Sequence, residues 1–151
     1  MRISFDLDET LISQNIDWEV EPDLKGFRGE KERLRKGTVE LFKWIRAQNH
    51  EIWIYTNSYR GWKALESCFQ ECGIPVDGVI TQVVHDQKRY EQDKKCTQEK
   101  NPEWFGIDIH FDDLDELARQ KRVCRIDPLD ACWTDTVKHC INNYRNKVPV
   151  S

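Results

Sequence analysis

Apolar and polar positions along this chain switch between two periods. Residues 2–7 (RISFDL) put Ile3 and Phe5 on one face of an extended segment, with polar residues directly after, which predicts a short strand. Residues 38–48 (TVELFKWIRAQ) repeat at helical spacing, so that Val39, Phe42 and Ile45 share a face broadened by Leu41 and Trp44. Gly37 and Thr38 mark the start of that helix. Residues 51–56 (EIWIYT) are aromatic and β-branched, the signature of a second strand. The spacing over 59–72 predicts a helix that turns Trp62, Leu65, Phe69 and Cys72 inward, stopped by Gly73 in the left-handed conformation. Residues 78–84 (GVITQVV) read as a third strand and 85–99 (HDQKRYEQDKKCTQE) as a polar loop. Residues 107–111 (IDIHF) and 123–126 (VCRI) read as the fourth and fifth strands, and a last helix is expected from about Trp133 to Asn146.

Strands separated by helices predict an α/β fold: a Rossmann-like three-layer sandwich with a central, mainly parallel sheet and helices on both faces. Ligands of such sheets gather at the carboxyl ends of the strands. Asp6 and Asp8 fall at the end of the first strand, Thr56 and Asn57 at the end of the second, Asp112 and Asp113 at the end of the fourth. Carboxylates gathered at one rim repel one another unless they share a cation. An all-oxygen donor set selects a hard divalent ion, with magnesium expected, and magnesium commonly sits beside a phosphate. A carboxylate can attack phosphorus. A second carboxyl two residues on can carry the leaving-group proton. Thr56 offers a hydroxyl, and several lysines offer a cation, to stabilise the transferring group.

Composition narrows the setting. The chain has 151 residues, read as one domain over 1–151, with 12–36 as a short insert. Hydrophobic residues make up 38% and charged residues 33%, and no apolar run is long enough to span a bilayer, so no membrane partner is expected. The opening MRISFDLDETL carries carboxylates where a signal peptide keeps its apolar stretch, so the cytoplasm is the expected location. A net charge of −4 gives no basic excess, and nucleic acid is not an expected partner. Lys31, Arg33, Arg35 and Lys36, diluted by Glu30 and Glu32, read as a solvated surface segment. The six cysteines (Cys68, Cys72, Cys96, Cys124, Cys132 and Cys140) contain no CxxC pair, and read as free thiols acting mostly as small buried hydrophobes.

The ordered polar motifs resemble those of the haloacid dehalogenase (HAD) superfamily of phosphohydrolases. FDLDET resembles the first motif of that superfamily, DxDxT; IWIYTN resembles the second, an apolar strand ending in Ser or Thr; IHFDD resembles the fourth, an apolar strand ending in paired acids. The third motif is a lysine between the second and fourth. Lys100 fits it best, leading a short helix into the acidic strand, with Lys94 and Lys95 as alternatives. The resemblance spans residues 3 to 113. It implies that Asp6 is the nucleophile and a metal ligand. Asp8 is then the general acid/base and offers its backbone carbonyl to the metal. It further implies that Thr56, with Asn57 beside it, binds the phosphoryl group, and that Lys100 orients Asp6 and neutralises charge. Asp112 is implied as a direct metal ligand, with Asp113 acting directly or through water. An acid at Asp8 favours phosphoryl transfer over carbon–halogen cleavage, because dehalogenases of the superfamily lack it. The resemblance therefore implies a magnesium-dependent phosphatase acting through an aspartyl-phosphate.

The segments 12–36 and 85–99 are too short for a folded cap domain, so the chain resembles the capless or minimally capped members. Such sites are open to small or macromolecular phosphorylated substrates, or covered by a second copy in a homo-oligomer. Trp18, Tyr59, Arg60 and Trp62 are expected near the mouth, although Trp62 at helical spacing also suits a core position. His110 reads as a satisfied core histidine, and His85 with Asp86 as loop residues. A phosphotransferase on the same fold fits the motifs equally. A receiver-like phosphoacceptor fits less well, because its acid pair comes first in the chain, and a binding protein that has lost turnover leaves the full motif set unexplained.

Overall fold

The computed structural model describes residues 1–22, 32–92 and 99–147. Five strands form one all-parallel sheet: β1 (Arg2–Phe5), β2 (Glu51–Tyr55), β3 (Gly78–Ile80), β4 (Ile109–Asp112) and β5 (Val123–Arg125), in the order β3-β2-β1-β4-β5. Four helices connect or follow them: α1 (Thr38–Ala47), α2 (Trp62–Glu71), α3 (Gln82–Gln92) and α4 (Trp133–Lys147). The chain is a Rossmann-like α/β protein. Its central strand, β1, sets Ile3 beside Ile52 on one side and Ile109 on the other, and Phe5 beside Ile54 and Phe111. These six apolar side chains face one way and pack with Leu41, Phe42 and Ile45 of α1, Leu65 and Phe69 of α2, and Val137 and Ile141 of α4. The opposite face carries Tyr55 and Ile80, closed by Ile107, Val84 of α3 and Phe105. No described helix is long and apolar enough to cross a membrane, and no described cysteine forms a disulfide.

Local rules explain the helix ends. Gly73 adopts φ 76° after α2, and the N–H groups of Gly73 and Ile74 bond back to the carbonyls of Gln70 and Phe69, which ends the helix in a Schellman turn. Gly37 stands before α1 at φ 98° and offers no side chain to cap it. The Glu21 carboxylate does so instead, accepting from the N–H groups of Gly37 and Val39 at 3.0 Å each. The insert is thus tied to the first helix. On β3, a methyl group at Gly78 would lie 2.4 Å from the Trp53 ring, so only glycine lets that indole cover the strand.

Several expectations are corrected. The third strand stops at Ile80, and the segment from Gln82 to Gln92 is helix α3, neither strand to residue 84 nor loop from 85. Trp62 opens α2 and is 44% exposed, and Cys72 is only half-buried, so the inward face of α2 is Leu65 and Phe69. Arg35 is no surface residue. It is buried, and its guanidinium donates to the carbonyl oxygens of Thr10, Asp127, Pro128 and Asp130 at 2.8–3.4 Å. It also lies over the rings of Trp18 and Trp133, at 4.4 and 4.8 Å from their centroids. Burial pulls its pKa down to about 10, and the nearby Asp130 and Asp127 charges oppose that shift. Lys31, Lys94, Lys95 and Cys96 lie outside the described residues.

Arg35 therefore joins the insert to the loop after β5. Arg35→Ala is expected to lower unfolding free energy by about 3 kcal/mol, since carbonyl bonds to a charged donor and two cation–π contacts are lost together. The change would appear as a lower urea midpoint at unchanged slope. Arg35→Lys should recover little of it, because an ammonium lacks the planar fork. A midpoint equal to that of the natural sequence would contradict this account.

Candidate functional site

The parallel sheet brings the ends of β1, β2 and β4 to one rim, and the polar residues there derive from three separated segments. Asp6 follows β1 directly, and its backbone N–H donates to the Phe111 carbonyl at 2.8 Å, which extends the β1–β4 pairing to the carboxylate itself. Asp112 ends β4 and Asp113 follows it. Carboxylate oxygens of Asp6, Asp112 and Asp113 lie within 4.8 Å of one another. Lys100 precedes a 3-10 turn (Pro102–Phe105), and its ammonium is buried among them. Its Nζ donates to Asp6 Oδ1 at 2.8 Å and to Asp112 Oδ2 at 2.7 Å.

The electrostatics follow from burial and from this single cation. Burial pushes the Asp6 carboxyl up to about 7, aided by the Asp112 charge and opposed by Lys100. Burial also raises Asp113. For Asp112 burial acts in the same sense, but the His110 hydrogen bond and the Lys100 charge outweigh it, and it stays below the usual carboxylate range. Burial disfavours the Lys100 ammonium, yet Asp6 and Asp112 outweigh that and raise its pKa. One ammonium does not balance three carboxylates, so Asp6 and Asp113 hold protons more readily than free carboxyls do. A hard divalent cation satisfies the same excess charge with oxygen donors alone. These three residues therefore form a candidate metal site.

Support for the site comes from residues the sequence reading left aside. His110 is fully buried, and its Nε2–H donates to Asp112 Oδ2 at 2.8 Å. Ser4 Oγ–H donates to His110 Nδ1 at 2.7 Å, and burial keeps the imidazole neutral by lowering its pKa. This Ser–His–Asp line fixes the Asp112 carboxylate, as supporting hydrogen bonds do for metal-binding groups. His110 is thus a satisfied buried histidine whose partner is the site itself. Ser4 and His110 sit opposite each other across β1 and β4, so the register brings them together. Thr10 Oγ1 lies 3.5 Å from both Asp6 Oδ2 and Asp113 Oδ1, and its one proton can serve only one of them. Beneath Lys100, the Tyr55 ring lies 5.8 Å from Nζ. The Tyr55 hydroxyl accepts from Asn101 N–H and donates to His85 Nδ1 at 2.5 Å, so His85 is a buried member of α3 and not a loop residue.

Other expected residues stand apart from this cluster. Asp8 turns to Arg60: Nη1 and Nη2 donate to Oδ2 and Oδ1 at 2.9 and 3.0 Å. Arg60 Nη2 also donates to Glu32 Oε1 at 2.7 Å, so Asp8, Arg60 and Glu32 form one network beside the three aspartates. Thr56 is buried at the end of β2, where its hydroxyl accepts from Ser58 N–H and donates to Ser58 Oγ. Asn57 is exposed. Tyr59 is 77% exposed in the same loop as Arg60, whereas Trp18 lies against Arg35. No protein-family model and no curated protein matches this sequence.

Proposed function

We propose that this chain is a magnesium-dependent phosphomonoester hydrolase of HAD type that works through an aspartyl-phosphate on Asp6. The observation that carries the reading is the buried Lys100 ammonium bridging Asp6 and Asp112, with Asp113 completing a three-carboxylate group at the rim of a parallel sheet. The order of the sequence motifs supports the same reading.

Lys100 occupies Asp6 Oδ1 and leaves Oδ2 to attack phosphorus. The Oδ2–P bond forms as the bond from phosphorus to the leaving oxygen breaks, and Asp8 gives that oxygen its proton. Asp8 then takes a proton from water, whose oxygen attacks phosphorus and releases phosphate from Asp6. Arg60 now holds both Asp8 oxygens, so one must come free for the proton step. Lys100 would offset charge on the transferring group, as would the Thr56 hydroxyl once its proton turns from Ser58 Oγ. Asp6, Asp112 and Asp113, with the Asp8 backbone carbonyl, would hold a magnesium ion, which would offset negative charge on the phosphoryl oxygens.

The purified protein is expected to release nitrophenol from para-nitrophenyl phosphate with magnesium present and to stop when the ion is chelated. No release with magnesium, or release indifferent to chelation, would overturn the reading.

A further inference from the structure

We infer that Cys124 and Cys140 form a peroxide-sensitive dithiol, a modification site that closes a disulfide between β5 and α4. The inference goes beyond the phosphatase reading and uses none of its residues.

Strand register and helix periodicity place the two residues opposite each other. Residues paired across neighbouring strands point to the same face of the sheet. Cys124 pairs with Phe111, and Phe111 with Phe5. Cys124 therefore ends the apolar row that Phe5 and Phe111 contribute to the core, on the face that α4 covers. On α4, Trp133, Val137 and Ile141 are buried in that same core. Cys140 lies three residues after Val137 and one before Ile141, so it shares their helical face. Both cysteines pack against the core from its edge and keep part of their surface in solvent.

The thiols meet across this interface. Cys124 hydrogen-bonds the Cys140 sulfur, which pulls the Cys140 thiol down to about 7 against the opposing effect of burial. Cys72 is also half-buried, yet its pKa moves the other way, raised by burial and by the neighbouring Cys68 and Glu71. The thiolate is the attacking form of cysteine, and a low-pKa thiol with a second cysteine beside it is the arrangement that oxidises reversibly.

Hydrogen peroxide is the oxidant. The Cys140 thiolate attacks one peroxide oxygen and the O–O bond breaks. The hydroxide released takes a proton from solvent, and Cys140 is left as a sulfenic acid. The Cys124 sulfur then attacks the Cys140 sulfur. The S–S bond forms, the S–O bond breaks, and the departing hydroxide leaves as water with the Cys124 proton. Two thiols are oxidised and one peroxide is reduced to two waters. The new bond encloses the loop after β5, whose carbonyls at Asp127, Pro128 and Asp130 hold Arg35. The crosslink thus constrains the loop on which the insert is anchored.

The test uses the intact chain, fully reduced and then treated with hydrogen peroxide, with digestion and mass spectrometry locating every cysteine. A Cys124–Cys140 peptide pair lighter by two hydrogens is expected ahead of any other disulfide, and dithiothreitol should restore both thiols. Before peroxide, Cys140 is expected to alkylate with iodoacetamide about tenfold faster than Cys72. In Cys124→Ser the linked pair should be lost, and Cys140 should stop at the sulfenic acid, where dimedone traps it. No Cys124–Cys140 link, a disulfide joining other cysteines first, or a Cys140 no faster than Cys72 would each overturn the inference. These three readouts come from the natural sequence and stand even if the variant fails to fold.

Discussion

Asp6→Asn is expected to abolish phosphate release, by about 10³-fold or more, while leaving the melting temperature no lower than that of the natural sequence. The two halves of this outcome have separate causes. Catalysis is lost because an amide cannot form the acyl-phosphate bond. Stability is kept because the site without metal is overcharged: three carboxylates share one buried ammonium. Asn has the shape of Asp, its carbonyl oxygen still accepts from Lys100, and its amide can donate to a neighbouring carboxylate. Removing one charge from such a cluster relieves repulsion. Residual turnover near the natural rate would sink Asp6 as nucleophile. A large fall in melting temperature would instead mean that Asp6 is mainly structural.

Lys100→Met should give the opposite signature in stability and the same one in activity. Lys100 is 2% exposed and pairs with Asp6 and with the fully buried Asp112. Methionine fills most of the volume but leaves those carboxylates without their cation. Removing one partner of a buried ion pair typically costs about 3–5 kcal/mol. The loss should be read by denaturant titration without added metal, with phosphate release measured in parallel. Magnesium should restore part of the stability, since an ion bound only by the folded state shifts unfolding by mass action, but not the activity, because Asp6 would lack its orienting donor. A variant as stable as the natural sequence without metal would show that the carboxylates do not depend on Lys100.

The strands that hold the site were legible because each is a short apolar run ended by polar residues, as in RISFD, EIWIYT and IHFDD. Parallel order follows from the helices between them, and the ends of those strands then share a rim. What could not be read were contacts between residues remote in sequence whose types carry no periodic signal. Arg35 sits in a run of charges that looks solvated, and the carbonyls of residues 10, 127, 128 and 130, with the rings of Trp18 and Trp133, make its burial stable. The Asp8–Arg60–Glu32 network is similar: the insert brings Glu32 to the rim, and nothing in its spacing announces that. Residues 78–84 failed for another reason. Val83 and Val84 extend the β-branched run after Ile80, yet Val83 is 51% exposed, and Val84 and His85 carry the inward face of a helix too polar to show an apolar stripe. Lys100 lies against Asp6 and Asp112, and the imidazole behind Asp112 needed the strand register to be seen.

The strand order also governs when the site can exist. Asp6 lies within the first few residues, whereas its cation and both companion acids lie between residues 100 and 113. β1 is flanked by β2 and β4, so its second neighbour arrives only after roughly two-thirds of the chain has been passed. Closing so long a span is entropically slow to nucleate, and contacts of this kind form late. The Asp6 carboxylate stays hydrated and costs nothing until Lys100 follows to receive it. The charges of Asp6, Lys100 and Asp112 are thus buried together, in one late event, instead of one at a time.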